Sequence, residues 1–142
     1  MNKVDWGLLG CKPQANNIVK YMHEIGNSPK VVVIPPDCPP NDAKNLIEIC
    51  KQTGVSCRIL KTQEELYEIS LPSVLVTCRF FIVNLQKLNL EKSFLYNIHS
   101  SLLPRWAGIH PVQWSIIKGD SHTGVTIHKL SEEVDDGEIV NQ

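Results

Sequence analysis

An α/β fold is predicted, with a mostly parallel sheet and helices on both faces. Three observations predict it. Apolar runs rich in Val, Ile and Leu alternate with stretches of helical spacing over the first 78 residues. The connections between them are short, as in chains that cross from strand to helix to parallel strand. Runs such as "KVVVIPP" at 30–36 are continuously apolar rather than alternating, which suits strands buried on both faces. The length of 142 residues corresponds to about one domain, and 42% hydrophobic content is enough to bury a core without staples.

Each element has its own reason. Val4 to Gly10 reads as a buried first strand. Pro13 to Ile25 carries Ile18, Met22 and Ile25 at helical spacing, and Gly26 is a stop. "KVVVIPP" is a second strand, ended by its prolines. Asn41 is placed to cap a helix whose Ala43, Leu46, Ile47 and Cys50 share one face, with Gly54 closing it. "VSCRIL" is a third strand. Thr62 and Glu65 have capping-box spacing ahead of Leu66 and Ile69. "SVLVTC" is a fourth strand and "FLYNIHS" a fifth. "PVQWSIIKG" is a short helix closed by Gly119, "GVTIHKL" a further strand, and "SEEVDDGEIV" an acidic turn leading into a last short strand. No internal repeat or low-complexity linker divides the chain.

Composition excludes several classes. The formal charge is −1 and no run of five like charges occurs, so nonspecific nucleic-acid binding is not expected. The five cysteines, Cys11, Cys38, Cys50, Cys57 and Cys78, are odd in number and form no C-x-x-C pair. They read as reduced thiols in a cytoplasmic protein. The apolar part of the N-terminus is too short for a signal peptide, and no apolar run reaches membrane length.

Most candidate chemistry has a bland explanation. "GLLGC" has only Gly7 and Gly10 where a dinucleotide fingerprint needs three glycines. It reads as a tight strand-to-helix turn. His110, His122 and His128 are spread over different elements without ligand spacing, so no metal site is expected. No G-x-S-x-G elbow surrounds a serine, and Ser100 and Ser101 are expected to bond the loop backbone. Cys78 reads as a buried thiol at a strand end.

Asn97 and His99 stand apart. Residues i and i+2 of a strand point to one face, so the amide and the imidazole converge while Ile98 turns toward the core. They sit at the carboxyl end of a strand, where open α/β sheets bind ligands. A carboxylate from "DDG" reaches the imidazole if the "GVTIHKL" strand lies alongside. Spacing alone does not choose between Asp135 and Asp136, and Asp before Gly is also ordinary turn chemistry.

"NIHSSLLPRWAG", then "GVTIHKL", then "DDGEIV" resemble the formyltransferase family that uses 10-formyltetrahydrofolate. Its members include methionyl-tRNA, glycinamide ribonucleotide and nucleotide-linked amino-sugar formyltransferases. The resemblance implies a Rossmann-like fold and one catalytic domain over 1–142, truncated at its C-terminus. It places Asn97, His99 and Asp135 on the family's catalytic Asn, His and Asp, with Asp136 at the variable position. It implies folate contacts at Phe80, Phe81, Ile82 and Val83, at Ser101, Leu102, Leu103 and Pro104, and at Ser131, Glu132, Glu133 and Val134. Ala107 stands where the family often has Arg. The basic loop and RNA-binding barrel of methionyl-tRNA formyltransferases have no counterpart, since "PPDCPPND" is short and acidic.

The resemblance implies the cofactor 10-formyltetrahydrofolate as formyl donor, no metal, and a primary amine as acceptor. The expected acceptor is an amino sugar carried on a nucleotide, in a cytoplasmic protein without membrane or nucleic-acid partners and with a homodimer as a possible state. Methionyl-tRNA and glycinamide ribonucleotide are the alternative acceptors. Hydrolysis of 10-formyltetrahydrofolate and a noncatalytic folate- or nucleotide-binding module are the alternative functions.

Overall fold

The computed structural model describes residues 4–88 and 94–142. Its elements in order are β1 (Trp6–Gly10), α1 (Lys12–Glu24), β2 (Val31–Ile34), α2 (Pro40–Thr53) and β3 (Ser56–Ile59). A 3₁₀ turn (Glu64–Tyr67), β4 (Val74–Cys78), β5 (Leu95–His99), α3 (Pro111–Ile117), β6 (Thr126–Lys129) and β7 (Ile139–Asn141) follow. The seven strands form one sheet in the order β3-β2-β1-β4-β5-β6-β7. The first five run parallel, and β6 and β7 are antiparallel additions. The chain winds outward from β1 to β3 and then restarts at β4 on the other side of β1. That reversal opens a crevice at the strands' carboxyl ends, where this architecture places ligands.

Alternation along each buried strand supplies two cores. On one face Leu8, Val32 and Ile34 meet Ala15 and Val19 of α1 and Leu46, Ile49 and Cys50 of α2. On the other, Leu9, Val33, Leu75 and Leu95 meet Leu60, Leu66, Leu85 and Leu88. Among the described residues, a 3₁₀ turn contributes Leu66 and Tyr67 to this second core.

Several local expectations shift. In α1 the fully buried side chains are Ala15 and Val19, while Ile25 lies past the helix end and is exposed. Asn41 does not cap α2. The helix starts at Pro40, whose fixed φ and missing N–H suit a first turn. Gly54 does close it, at φ 69°. The Thr62–Glu65 capping box does not form a full helix. The Glu65 carboxylate accepts the Lys61 N–H at 2.8 Å, and only one 3₁₀ turn follows.

The five cysteines are not all reduced thiols. Cys11 follows β1 and Cys38 follows its neighbour β2, so their Cα atoms lie 6.0 Å apart and the two are disulfide-bonded. That spacing is within the range a disulfide spans, and only strand pairing brings it about. Cys50, Cys57 and Cys78 are free, and burial pushes the Cys78 thiol up to about 11. Among the described residues no helix is long and apolar enough to cross a membrane.

Candidate active site

The site is assembled from a row of residues across three strands. β4, β5 and β6 place Thr77 opposite Asn97 and Asn97 opposite His128. Because side chains at paired positions share a face, all three point to the same side of the sheet. His99 lies two residues beyond Asn97, on the same face. Ile98 turns the other way and packs against the α1–α2 core. The period-2 expectation for Asn97 and His99 therefore holds.

Asp135 arrives from the turn between β6 and β7. It adopts a left-handed backbone at φ 56°, a conformation that aspartate tolerates better than most residues. Gly137 lets the turn close against β6, since a Cβ there would run into the Lys129 carbonyl oxygen. The Asp135 carboxylate sits between two imidazoles: Oδ2 is 3.2 Å from His99 Nδ1 and Oδ1 is 3.4 Å from His128 Nε2. Asn97 Nδ2 donates to Oδ1 at 3.2 Å, and the Gly108 N–H donates to Oδ2 at 2.8 Å. Burial pushes the Asp135 carboxyl up. The bonds from His128 and the Gly108 N–H, with the charge of the two imidazoles, outweigh it and hold the pKa below the usual value. Asp135 is thus an anion at neutral pH, ringed by donors.

The remaining contacts fix each group. His128 Nδ1 lies 2.9 Å from the Lys129 carbonyl, so a neutral ring carries its proton on Nδ1 and leaves Nε2 as an acceptor. Asn97 Nδ2 is 3.1 Å from that Nε2. The Asp135 carboxylate raises the His128 pKa against the opposing effect of burial. His99 Nε2 faces the Trp106 carbonyl at 2.9 Å. Trp106 and His110 are themselves left-handed, at φ 60° and 59°. Such backbones cost about 1–3 kcal/mol each and cluster where a loop must be held in one shape. Asp120 anchors this loop, accepting from Arg105 Nε at 2.9 Å and Trp106 Nε1 at 2.6 Å. Those bonds, the Arg105 one foremost, hold its carboxyl at about 2.

A cavity of about 640 Å³ opens over this network, within the range of small-molecule sites. Asn97, His99, His128 and Asp135 line it, as do Phe80, Phe81, Ile82 and Val83 and the turn Ser131, Glu132, Glu133 and Val134. Phe80 and Phe81 stack at 4.3 Å. Arg79 Nε, buried without a hydrogen-bond partner, belongs to a residue of the same wall.

Ser101, Leu102, Leu103 and Pro104 do not line this cavity. They form the turn beneath the Trp106 loop. The Ser101 hydroxyl donates to the Arg105 carbonyl at 2.6 Å, and the Leu103 N–H donates to Thr126 Oγ1 at 3.1 Å. Ser101 thus bonds the loop backbone, and the segment shapes the site from below. Asp136 is absent from the cavity lining. Among the described residues, no group of three or more His, Cys, Asp or Glu is placed to hold a metal ion.

Sequence reasoning missed Thr77 and the part His128 plays. A signal for His128 was present. In "TIHK", Thr126 and His128 share a face as Asn97 and His99 do, giving two polar pairs on strands that later prove adjacent. Thr77 had no such signal, because threonine in a strand is ordinary.

Residues 73–142, from β4 to the end of the chain, match a family model described as formyl transferase. Over that segment the chain is similar to the formyl transferase family. Methionyl-tRNA formyltransferase of Ehrlichia ruminantium is 37% identical over 90 residues, which cover 63% of this chain and 30% of that protein. Methionyl-tRNA formyltransferase of Prochlorococcus marinus is 42% identical over 76 residues, covering 54% and 23%. The matched region is thus about a third or less of the length of these curated relatives. Phosphoribosylglycinamide formyltransferase from Streptococcus pneumoniae superposes with a TM-score of 0.78 at 22% identity, covering 98% of this chain and 80% of that one. A sugar 3N-formyl transferase, WlaRD, solved with dTDP and 5-N-formyl-THF, gives 0.72 at 19% identity, covering 99% and 51%. At these identities the solved structures speak for the Rossmann-like fold, which β1 to β7 follow. The segment that carries the family's pattern also carries β5, β6 and the Asp135 turn.

Proposed function

We propose that this chain transfers a formyl group from 10-formyltetrahydrofolate to a primary amine. One observation carries the reading. An amide, two imidazoles and an ionised carboxylate meet at the wall of a cavity, on the segment that matches the formyl transferase family model.

The residues suit the charges of acyl transfer. As an amine attacks the formyl carbon, negative charge builds on its oxygen. Asn97 Nδ2 donates a hydrogen to that oxygen, and one such donor is typically worth about 3–4 kcal/mol at the transition state. Asp135 holds His99 by Nδ1 and so sets its ring plane. His99 then passes a proton to the departing nitrogen from Nε2, trading the Trp106 carbonyl for the substrate. Asp135, kept ionised by its donors, takes the amine's proton through water. Acid–base help of this kind is worth roughly a hundredfold to ten-thousandfold.

The cavity suits the folate head. The aromatic pair Phe80–Phe81 flanks one side and the polar turn 131–134 another. Backbone groups of Phe80 to Val83, outside any strand, are available to the edge of a pterin. The favoured acceptor is an amino sugar carried on a nucleotide, supported by the short acidic connection after β2. Methionyl-tRNA is the second reading, which the names of the curated relatives favour.

Incubation with 10-formyltetrahydrofolate and three amines, a nucleotide-linked amino sugar, methionyl-tRNA and glycinamide ribonucleotide, tests the proposal. An N-formyl product is expected from one of them. Folded protein that formylates none overturns it. Formate released without any amine indicates hydrolysis. Folate binding that persists in His99→Ala and Asp135→Ala, without turnover in the wild type, indicates a binding module.

A further inference from the structure

We infer that Thr77 is a positioning residue that holds the Asn97 amide with its nitrogen toward the reacting centre. The inference rests on the formyl-transfer reading of the site. The two ends of an asparagine amide are nearly the same shape, and only hydrogen-bond partners decide which way it lies. The Asn97 nitrogen faces a carboxylate that asks for a donor. Asp135 Oδ1, at 3.2 Å, belongs to a carboxylate that only accepts. His128 Nε2, at 3.1 Å, accepts from that nitrogen only when the ring is neutral with its proton on Nδ1 toward the Lys129 carbonyl. The Asn97 carbonyl oxygen therefore turns toward β4, where Thr77 Oγ1 meets it at 2.8 Å.

That hydroxyl has two acceptors in reach, and the Tyr96 carbonyl at 3.3 Å is the more distant. Its proton goes to Asn97. Thr77 is 4% exposed, and removing its hydroxyl takes away the hydrogen bond that the Asn97 oxygen accepts. The two sides of the amide differ in what catalysis asks of them. The bond to Asp135 is the one Asn97 shares when its N–H turns to a substrate oxygen. The bond from Thr77 lies on the opposite side and is kept throughout, because β4 and β5 are paired at this register.

The competing account is packing alone: a β-branched side chain filling a buried strand position. Thr77→Val keeps the shape and removes the donor, whereas Thr77→Ser keeps the donor and removes the methyl. The two accounts therefore predict opposite orders.

The experiment compares wild type, T77V, T77S and T77A in the full chain. It measures formyl transfer to whichever amine the wild type uses, and 5-formyltetrahydrofolate binding by calorimetry. Expected are at least a tenfold loss of kcat in T77V, folate affinity within twofold of wild type, and T77S within threefold of the wild-type rate. T77V within twofold of wild type, or T77S as slow as T77V, overturns the inference. T77A takes the place of T77V if the valine variant does not fold, with the same two outcomes. A wild type that formylates no amine sinks the functional reading instead. In that case the ¹⁵N side-chain amide resonances of Asn97 decide the positioning. They are expected to shift in T77V and stay in T77S, and unmoved signals in T77V overturn it.

Discussion

The two halves of the sheet are built on opposite principles. β1, β2 and β4 run parallel, buried on both faces, and their side chains fill two apolar cores. β5 and β6 run antiparallel to each other, and the ends of their shared face carry Asn97, His99 and His128. The first half gains stability by excluding water. The second half spends some of it, gathering four polar side chains and three left-handed non-glycine residues around one cavity. The difference teaches where to look for function in this chain: at the strand ends that refuse to be apolar.

The contrast is sharpest at Asp135. Asp135→Asn keeps the shape but removes the charge that His99, His128 and the Gly108 N–H converge on. Formyl transfer is expected to fall about a hundredfold to ten-thousandfold, as expected for lost acid–base help, in protein that still unfolds cooperatively in urea. A near-normal rate would break the assignment.

Leu75→Ala makes the opposite cut. Leu75 is fully buried in the second core and does not line the cavity. The change should cost about 2–5 kcal/mol of stability by chemical denaturation. The activity per folded molecule should stay close to wild type. Loss of activity without loss of stability would mean that the two halves are not separable.

The pH dependence of stability distinguishes the halves more gently. His128 has a raised pKa, so its contribution is fully present below the ordinary value of 6.5. It is lost as pH rises through the higher folded value. Asp135 has a lowered pKa, so its contribution is present above the ordinary 3.8 and is lost as pH falls through the lower folded value. Urea midpoints measured from pH 6 upward should decline in wild type and decline less in His128→Gln. Equal slopes would sever His128 from Asp135.

The smallest effect is expected at the surface. Lys87 Nζ contacts the Glu64 carboxylate at 2.8 Å with both side chains well exposed. Such pairs contribute little. Lys87→Met should leave the denaturation midpoint unresolved from wild type, and a clear drop would show that this exposed pair supports the second core.

How much was legible depends on how far each feature reaches along the chain. The strand runs declared themselves through continuous apolar stretches, and Gly54 declared a helix end. The capping-box pattern at Thr62 and Glu65 misled, because Glu65 takes the Lys61 N–H instead. The "SLLP" segment followed the family's pattern yet turns its polar groups into the loop rather than the cavity. Its order in the sequence carries no information about which way the turn faces.

From the sequence alone came the α/β alternation and the shared face of Asn97 and His99, because a period of 2 or 3.6 is written into neighbouring residues. Tertiary structure alone decided that Asp135 closes on both imidazoles, that Thr77 and His128 flank Asn97, and that Cys11 meets Cys38. Apart from His128 and Asp135, which are close in the chain, those contacts join residues 20 to 38 positions apart, 27 for the cysteines. They depend on strand order and register, which no local pattern encodes.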